Sequence, residues 1–136
     1  LAQFIGYAAF ALTVVPITNS IIEKISKNDK SRRAYYPAKL SENKRYVIID
    51  HNNPIQESQA VTRVRLGKSV YTYYQSYAIG LMKEVGLGMT KPEITDNKEE
   101  MVGATQYWHY HTANRNKAHV WYGWPVTLQK TSVRPH

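Results

Sequence analysis

Cysteine is absent from the 136 residues, which excludes a disulfide scaffold, a thiolate zinc site and a cysteine nucleophile. Its absence suits export followed by entry into another cytoplasm, where a disulfide would be reduced. Acids are scarce. Ten Asp and Glu stand against 18 Lys and Arg, giving a formal charge of +8 and a pI near 9.7. That balance favours an anionic partner. Beyond Glu100 no acid remains, and the formal charges there are Arg115, Lys117, Lys130 and Arg134. A long apolar run is also missing. Residues 1–22 carry no charge, but Pro16 interrupts them, and a transmembrane helix needs roughly 20 apolar residues. No basic stretch precedes them as a signal peptide requires, so no stable membrane span is expected. Neither an internal repeat nor a glycine-rich phosphate loop is present.

The length suits a single domain, residues 1–136. The start at Leu1 carries the expectation of a native terminus further upstream. Leu1, Phe4, Ile5, Ala8, Leu12 and Val15 recur at helical spacing. Pro16 suits the first turn of a second helix with Ile17, Ile21 and Ile25 on one face. Residues 1–30 are thus read as a helical segment, either core or a segment that contacts membrane or belongs to an upstream delivery region. From residue 24 to 45, eight Lys or Arg stand against Asp29 and Glu42, with Tyr35, Tyr36 and Pro37 among them. This run suits a solvated loop or a phosphate-binding patch whose aromatics stack on bases. Residues 46–49 form a strand ended by a turn over 50–54 that includes His51.

Residues 62–66, with Arg63 and Arg65, read as a short strand or an approach loop. Gly67 then breaks the pattern. Ser69 suits the cap of a long helix with Val70, Tyr74, Tyr77, Ala78, Leu81, Met82 and Val85 on its buried stripe, closed by Gly86 and Gly88. Residues 91–100 read as an acidic loop. The expected fold class is α+β, with N-terminal helices and one long helix packed on a small antiparallel sheet that ends in a β-hairpin.

That hairpin carries the chemistry. Residues 107–123, YWHYHTANRNKAHVWYG, hold three of the five histidines and two of the three tryptophans. Alternation and aromatic content predict two strands, with a turn over 114–117. On a strand, His109 and His111 share one face while Trp108 and Tyr110 take the other. Paired residue numbers summing to an even value near 230 set His119 opposite His111 on that face, and an odd sum sends it across.

Clustered imidazoles support metal-free RNA cleavage. One takes the 2′-hydroxyl proton, another protonates the departing 5′-oxygen, and a cation steadies the phosphorane. The acid and base set is His109, His111 and His119, with Lys117 or Lys68 as the stabilising cation. Arg63, Arg65, Tyr71, Arg115, Trp121 and Tyr122 are the candidates for holding substrate, together with stacking from Tyr107 and Trp108. This chemistry needs no cofactor. The alternatives are a His-ligated metal nuclease acting on DNA, since three such nitrogens suit zinc, a toxin acting on NAD or membrane, or a purely structural hairpin.

Gly67, Lys68, Val70, Tyr71 and Thr72, followed by His109, Tyr110, His111, His119, Tyr122 and Gly123, resemble the C-terminal toxin domains of bacterial polymorphic toxins, including the LXG-type secreted proteins of Gram-positive bacteria. The resemblance covers roughly residues 60–136. It implies a secreted domain acting in the cytoplasm of a target cell, often as a nuclease, and neutralised by a cognate immunity protein. The basic charge suggests that this partner is acidic.

Overall fold

The computed structural model describes residues 15–28, 34–94 and 105–127. In chain order the elements are β1 (Val15–Pro16), α1 (Asn19–Asn28), β2 (Tyr35–Leu40), β3 (Val47–Ile49), α2 (Glu57–Arg65), β4 (Ser69–Thr72), α3 (Gln75–Val85), β5 (Thr105–Tyr110) and β6 (Val120–Thr127). The strands form one six-stranded sheet in the order β1-β3-β2-β4-β6-β5. The α+β class is therefore present. The sheet is antiparallel except for the parallel pair β4 and β6.

Helices cover both faces. On one, Ile22 and Ile25 of α1 pack on Ala38, Val47 and Ile49, and the same cluster runs on through Tyr36, Tyr71, Tyr107 and Trp121. On the other, Ala60 and Val64 of α2 and Ala78, Leu81, Met82 and Val85 of α3 bury Tyr35, Val70, Tyr110 and Val120. Among the described residues no helix is long and apolar enough to cross a membrane.

Local chemistry departs from the sequence expectation at four places. Pro16 ends β1 instead of opening a helix. Thr18 is the cap, its Oγ1 accepting the Ile21 amide at 3.3 Å. Tyr35 and Tyr36 lie in a central strand and are 1% and 4% exposed, so they are core residues and not stacking platforms. Residues 62–65 finish α2, and Leu66 caps it. Its start is held by the Gln59 side chain, which accepts the Gln56 amide at 2.9 Å. Ser69 to Thr72 form β4, with α3 beginning only at Gln75. Val70 sits where the strand and helix patterns coincide, and pairing with β2 on one side and β6 on the other decides for the strand. Gly86 closes α3 in the left-handed conformation, φ 76°, as expected. The first expected helix falls almost wholly on residues 1–14, outside the described residues. The acidic loop is described only as far as Ile94.

Candidate active site

The hairpin register answers the geometric question posed by the sequence. Trp108 pairs with Tyr122, His109 with Trp121 and Tyr110 with Val120, every pair summing to 230. His111 and His119 follow as the next opposed positions, just beyond the paired strand ends. All three imidazoles therefore occupy the α1 side of the sheet. Their ring centroids lie 4.8 Å apart for His109 and His111, 5.0 Å for His109 and His119, and 4.6 Å for His111 and His119. One ligand nitrogen from each lies within 4.8 Å of the others.

Neighbouring segments hold the trio from both flanks. After α3, residues 87–93 run along the outer edge of the chain from His109 to Ala113. Ala113 N donates to Leu87 O at 3.1 Å, Thr90 N to His111 O at 3.0 Å, and Glu93 and His109 exchange two backbone bonds of 2.9 Å. On the inner flank, the His119 amide donates to Ser69 Oγ at 2.9 Å, and its carbonyl accepts from Val70 N at 3.0 Å. The turn itself is anchored by Asn116, whose Nδ2 donates to Val64 O at 2.8 Å and whose Oδ1 accepts from Ala118 N at 3.1 Å. Gly67 allows that approach. It holds φ 82°, and a Cβ there would meet Asn116 O at 2.7 Å.

The rings are oriented individually. His109 Nδ1 lies 3.0 Å from Tyr107 O, and His111 Nδ1 lies 3.1 Å from Ala118 O. A carbonyl only accepts, so in each neutral ring the proton is assigned to Nδ1 and the lone pair to Nε2. His119 stacks on Trp121 at 4.7 Å with 5° between the planes. His109 and His111 are 5% and 7% exposed, and His119 is half-buried. Burial first, then the His109 and His111 rings and the Arg115 guanidinium, push the His119 pKa down from its ordinary 6.5 to about 3. His119 is accordingly a neutral ring at physiological pH.

Glu93 is the functional neighbour that the sequence reading missed. Its Oε1 lies 3.7 Å from His111 Nε2 and is buried without a hydrogen bond, while its Oε2 pairs with the Arg115 guanidinium. An acid in a polar loop, separated from the hairpin by residues with no strand pattern, gives no sequence signal of this placement. Tyr107 contributes a second unpartnered buried group, its hydroxyl, which burial pushes well above the ordinary phenol range.

The other expected site residues divide clearly. Arg115 belongs to the cluster through Glu93, and its charge is felt at His119. Lys117 and Lys68 are exposed beside the turn, Lys117 at φ 83° and Lys68 just before β4. Arg63 is a buried structural residue, its Nε and Nη2 donating to Ser69 O at 3.1 and 2.9 Å. Arg65 donates to the carbonyls of Val85 and Glu84 at the end of α3. Tyr71 is core, with its hydroxyl on Gly123 O at 2.6 Å. Trp121 is buried under His119, so its face is taken by an imidazole and not by a base. Tyr122 stacks with Tyr110 on the opposite face, 5.6 Å away, and burial pushes its hydroxyl up to about 12. Trp108 is 41% exposed and pairs with Tyr122, away from the histidines.

Fold and site together define a mixed α+β domain with a buried three-histidine cluster at one end of its sheet. No family model, no curated protein and no solved structure matches the chain.

Proposed function

We propose that this chain is an antibacterial toxin domain that cleaves RNA in a target cell by histidine acid and base catalysis, without a metal. The observation that carries the reading is the convergence of His109, His111 and His119 on one face through the 230 register. In this reading His119 is the base, because it is the most accessible of the three rings. It takes the proton of the 2′-hydroxyl, whose oxygen attacks phosphorus. His111 acts as the acid in its doubly protonated form: Nδ1 stays on the Ala118 carbonyl, and Nε2, 3.7 Å from Glu93 Oε1, delivers its proton to the departing 5′-oxygen and is left with the lone pair. A 2′,3′-cyclic phosphate and a free 5′-hydroxyl result. Arg115, whose charge is felt at His119, takes the phosphorane role in place of Lys117 and Lys68. His109 packs against both rings and fixes their spacing.

The basic charge suits an RNA substrate and an acidic immunity protein that covers this end of the sheet. Secretion and action in a target cytoplasm rest on the resemblance of residues 67–72 and 109–123 to secreted toxin domains.

Incubation with RNA in EDTA tests the chemistry. Cleavage is expected there, with a matched substrate lacking the 2′-hydroxyl at the cut site left intact. Replacing His119 or His111 with Ala is expected to slow cleavage by roughly 10²- to 10⁴-fold, the ordinary worth of a positioned acid or base. Cutting of DNA, or unchanged RNA cleavage in both variants, would overturn the reading.

A further inference from the structure

We propose that His109, His111 and His119 also form a binding site for one divalent transition-metal ion of the zinc class, and that the bound ion switches the catalytic cluster off. The inhibitory half rests on the function proposed above. The site itself rests on the arrangement of donors.

Zinc takes imidazole nitrogen at about 2.0–2.1 Å in tetrahedral geometry, which places neighbouring ligand atoms about 3.4 Å apart. Three ring nitrogens already gathered within 4.8 Å need only modest side-chain rotation to close on an ion. The Nδ1 contacts of His109 and His111 with Tyr107 O and Ala118 O reproduce a recurring feature of histidine metal sites. A carbonyl on one ring nitrogen fixes the tautomer and raises the basicity of the other. A carboxylate stands beside the three rings, next to His111. Glu93 Oε1 is buried, has no hydrogen bond, and stands 3.7 Å from His111 Nε2, close to the separation of two ligands on one ion. Glu93 would bring a negative charge to a cluster otherwise neighboured by Arg115.

A metal and a transferring proton need the same lone pairs. An occupied cluster has no free base, so metal binding and metal-free cleavage exclude each other. A metal-replete exterior and a cytoplasm poor in free zinc would then hold the domain in opposite states.

The test uses the full chain, stripped with EDTA and dialysed. It is titrated with Zn²⁺ by calorimetry and with Co²⁺ in the visible, where four-coordinate cobalt absorbs intensely. One ion per chain is expected. His109→Gln and His119→Gln should each weaken binding at least 100-fold, and Glu93→Gln about 10- to 100-fold. His51→Gln, outside the cluster, should leave binding unchanged. Circular dichroism of each variant in chelator separates lost ligands from lost fold, and His111→Gln serves if either His variant unfolds. RNA cleavage should fall in step with Zn²⁺ occupancy and return with EDTA. Absence of saturable binding, or binding indifferent to the histidines, overturns the site while leaving cleavage in EDTA standing. Stoichiometric binding with cleavage that requires the ion overturns both the inhibitory role and the metal-free mechanism. Binding as expected with no cleavage under any condition supports the site and refutes the proposed function.

Discussion

Three imidazoles lie within 5 Å of one another, so a positive charge on one ring opposes a second on its neighbour. This gives the cluster a cost in acid. His119 has a folded pKa near 3 and an unfolded value near 6.5, so between these limits the unfolded chain binds the extra proton. Stability therefore falls as pH drops from about 6.5 toward 3, and this group contributes no slope above 6.5. Thermal unfolding in chelator at pH 7.5 and pH 4.5 checks this. The drop in Tm should be smaller in His119→Gln than in the parent chain. Equal drops would remove His119 as the source. At this scale the sequence showed the parity of His109 and His111, and it named His119 conditionally. It could not show Glu93, because an isolated bridge to His109 from a loop leaves no periodic trace. The role expected of Trp121 changed for a related reason, since its partner is found only across the hairpin.

At the scale of elements, the hairpin is placed by segments remote in sequence, and two glycines with similar backbone angles separate the contributions. Gly67 and Gly123 have φ of 82° and 76°, but only Gly67 sits against another backbone. A Cβ on Gly67 would stand 2.7 Å from Asn116 O, whereas one on Gly123 would have nothing within 4 Å. Gly123→Ala should cost about 1 kcal/mol from conformation alone. Gly67→Ala should cost more, and should also release the turn. Denaturant unfolding ranks the two, and equal losses would show that the Asn116 contact is not limiting. The confusion of β4 with the start of α3 belongs here too. Residues 70, 74, 77, 78, 81, 82 and 85 fit a helical stripe on paper. Burial of Val70 and Tyr71 between β2 and β6 breaks that stripe after its first member. Likewise the parallel pairing of β4 with β6 has no local signal, because it joins segments on either side of a helix and another strand.

For the whole molecule, the class was legible from alternating strand and helix patterns, while the strand order was not. Charge is the property at this scale with a direct readout. With +8 overall, binding to single-stranded RNA should weaken steeply with salt, the logarithm of affinity falling by about 0.7 per phosphate contact for each decade. Arg115→Ala should lower that slope by about 0.7 if the guanidinium meets a phosphate. Filter binding of a catalytically silent His119→Ala chain between low and physiological salt measures both, and a flat dependence would argue against a nucleic-acid substrate. Expression in bacteria without a protective partner should arrest growth, and the same His119→Ala change should relieve it.

Residues 87–93 also shield a sheet edge. By bonding along the outer side of residues 109–113 at Leu87, Thr90 and Glu93, they occupy backbone groups that an outermost strand would otherwise offer to a neighbouring molecule. Loosening this cover, for instance by proline at Thr90, would expose a ready template for intermolecular strand addition. Cover of this edge and the delivery of Glu93 to the histidines therefore rest on the same few residues, and selection on either one constrains the other.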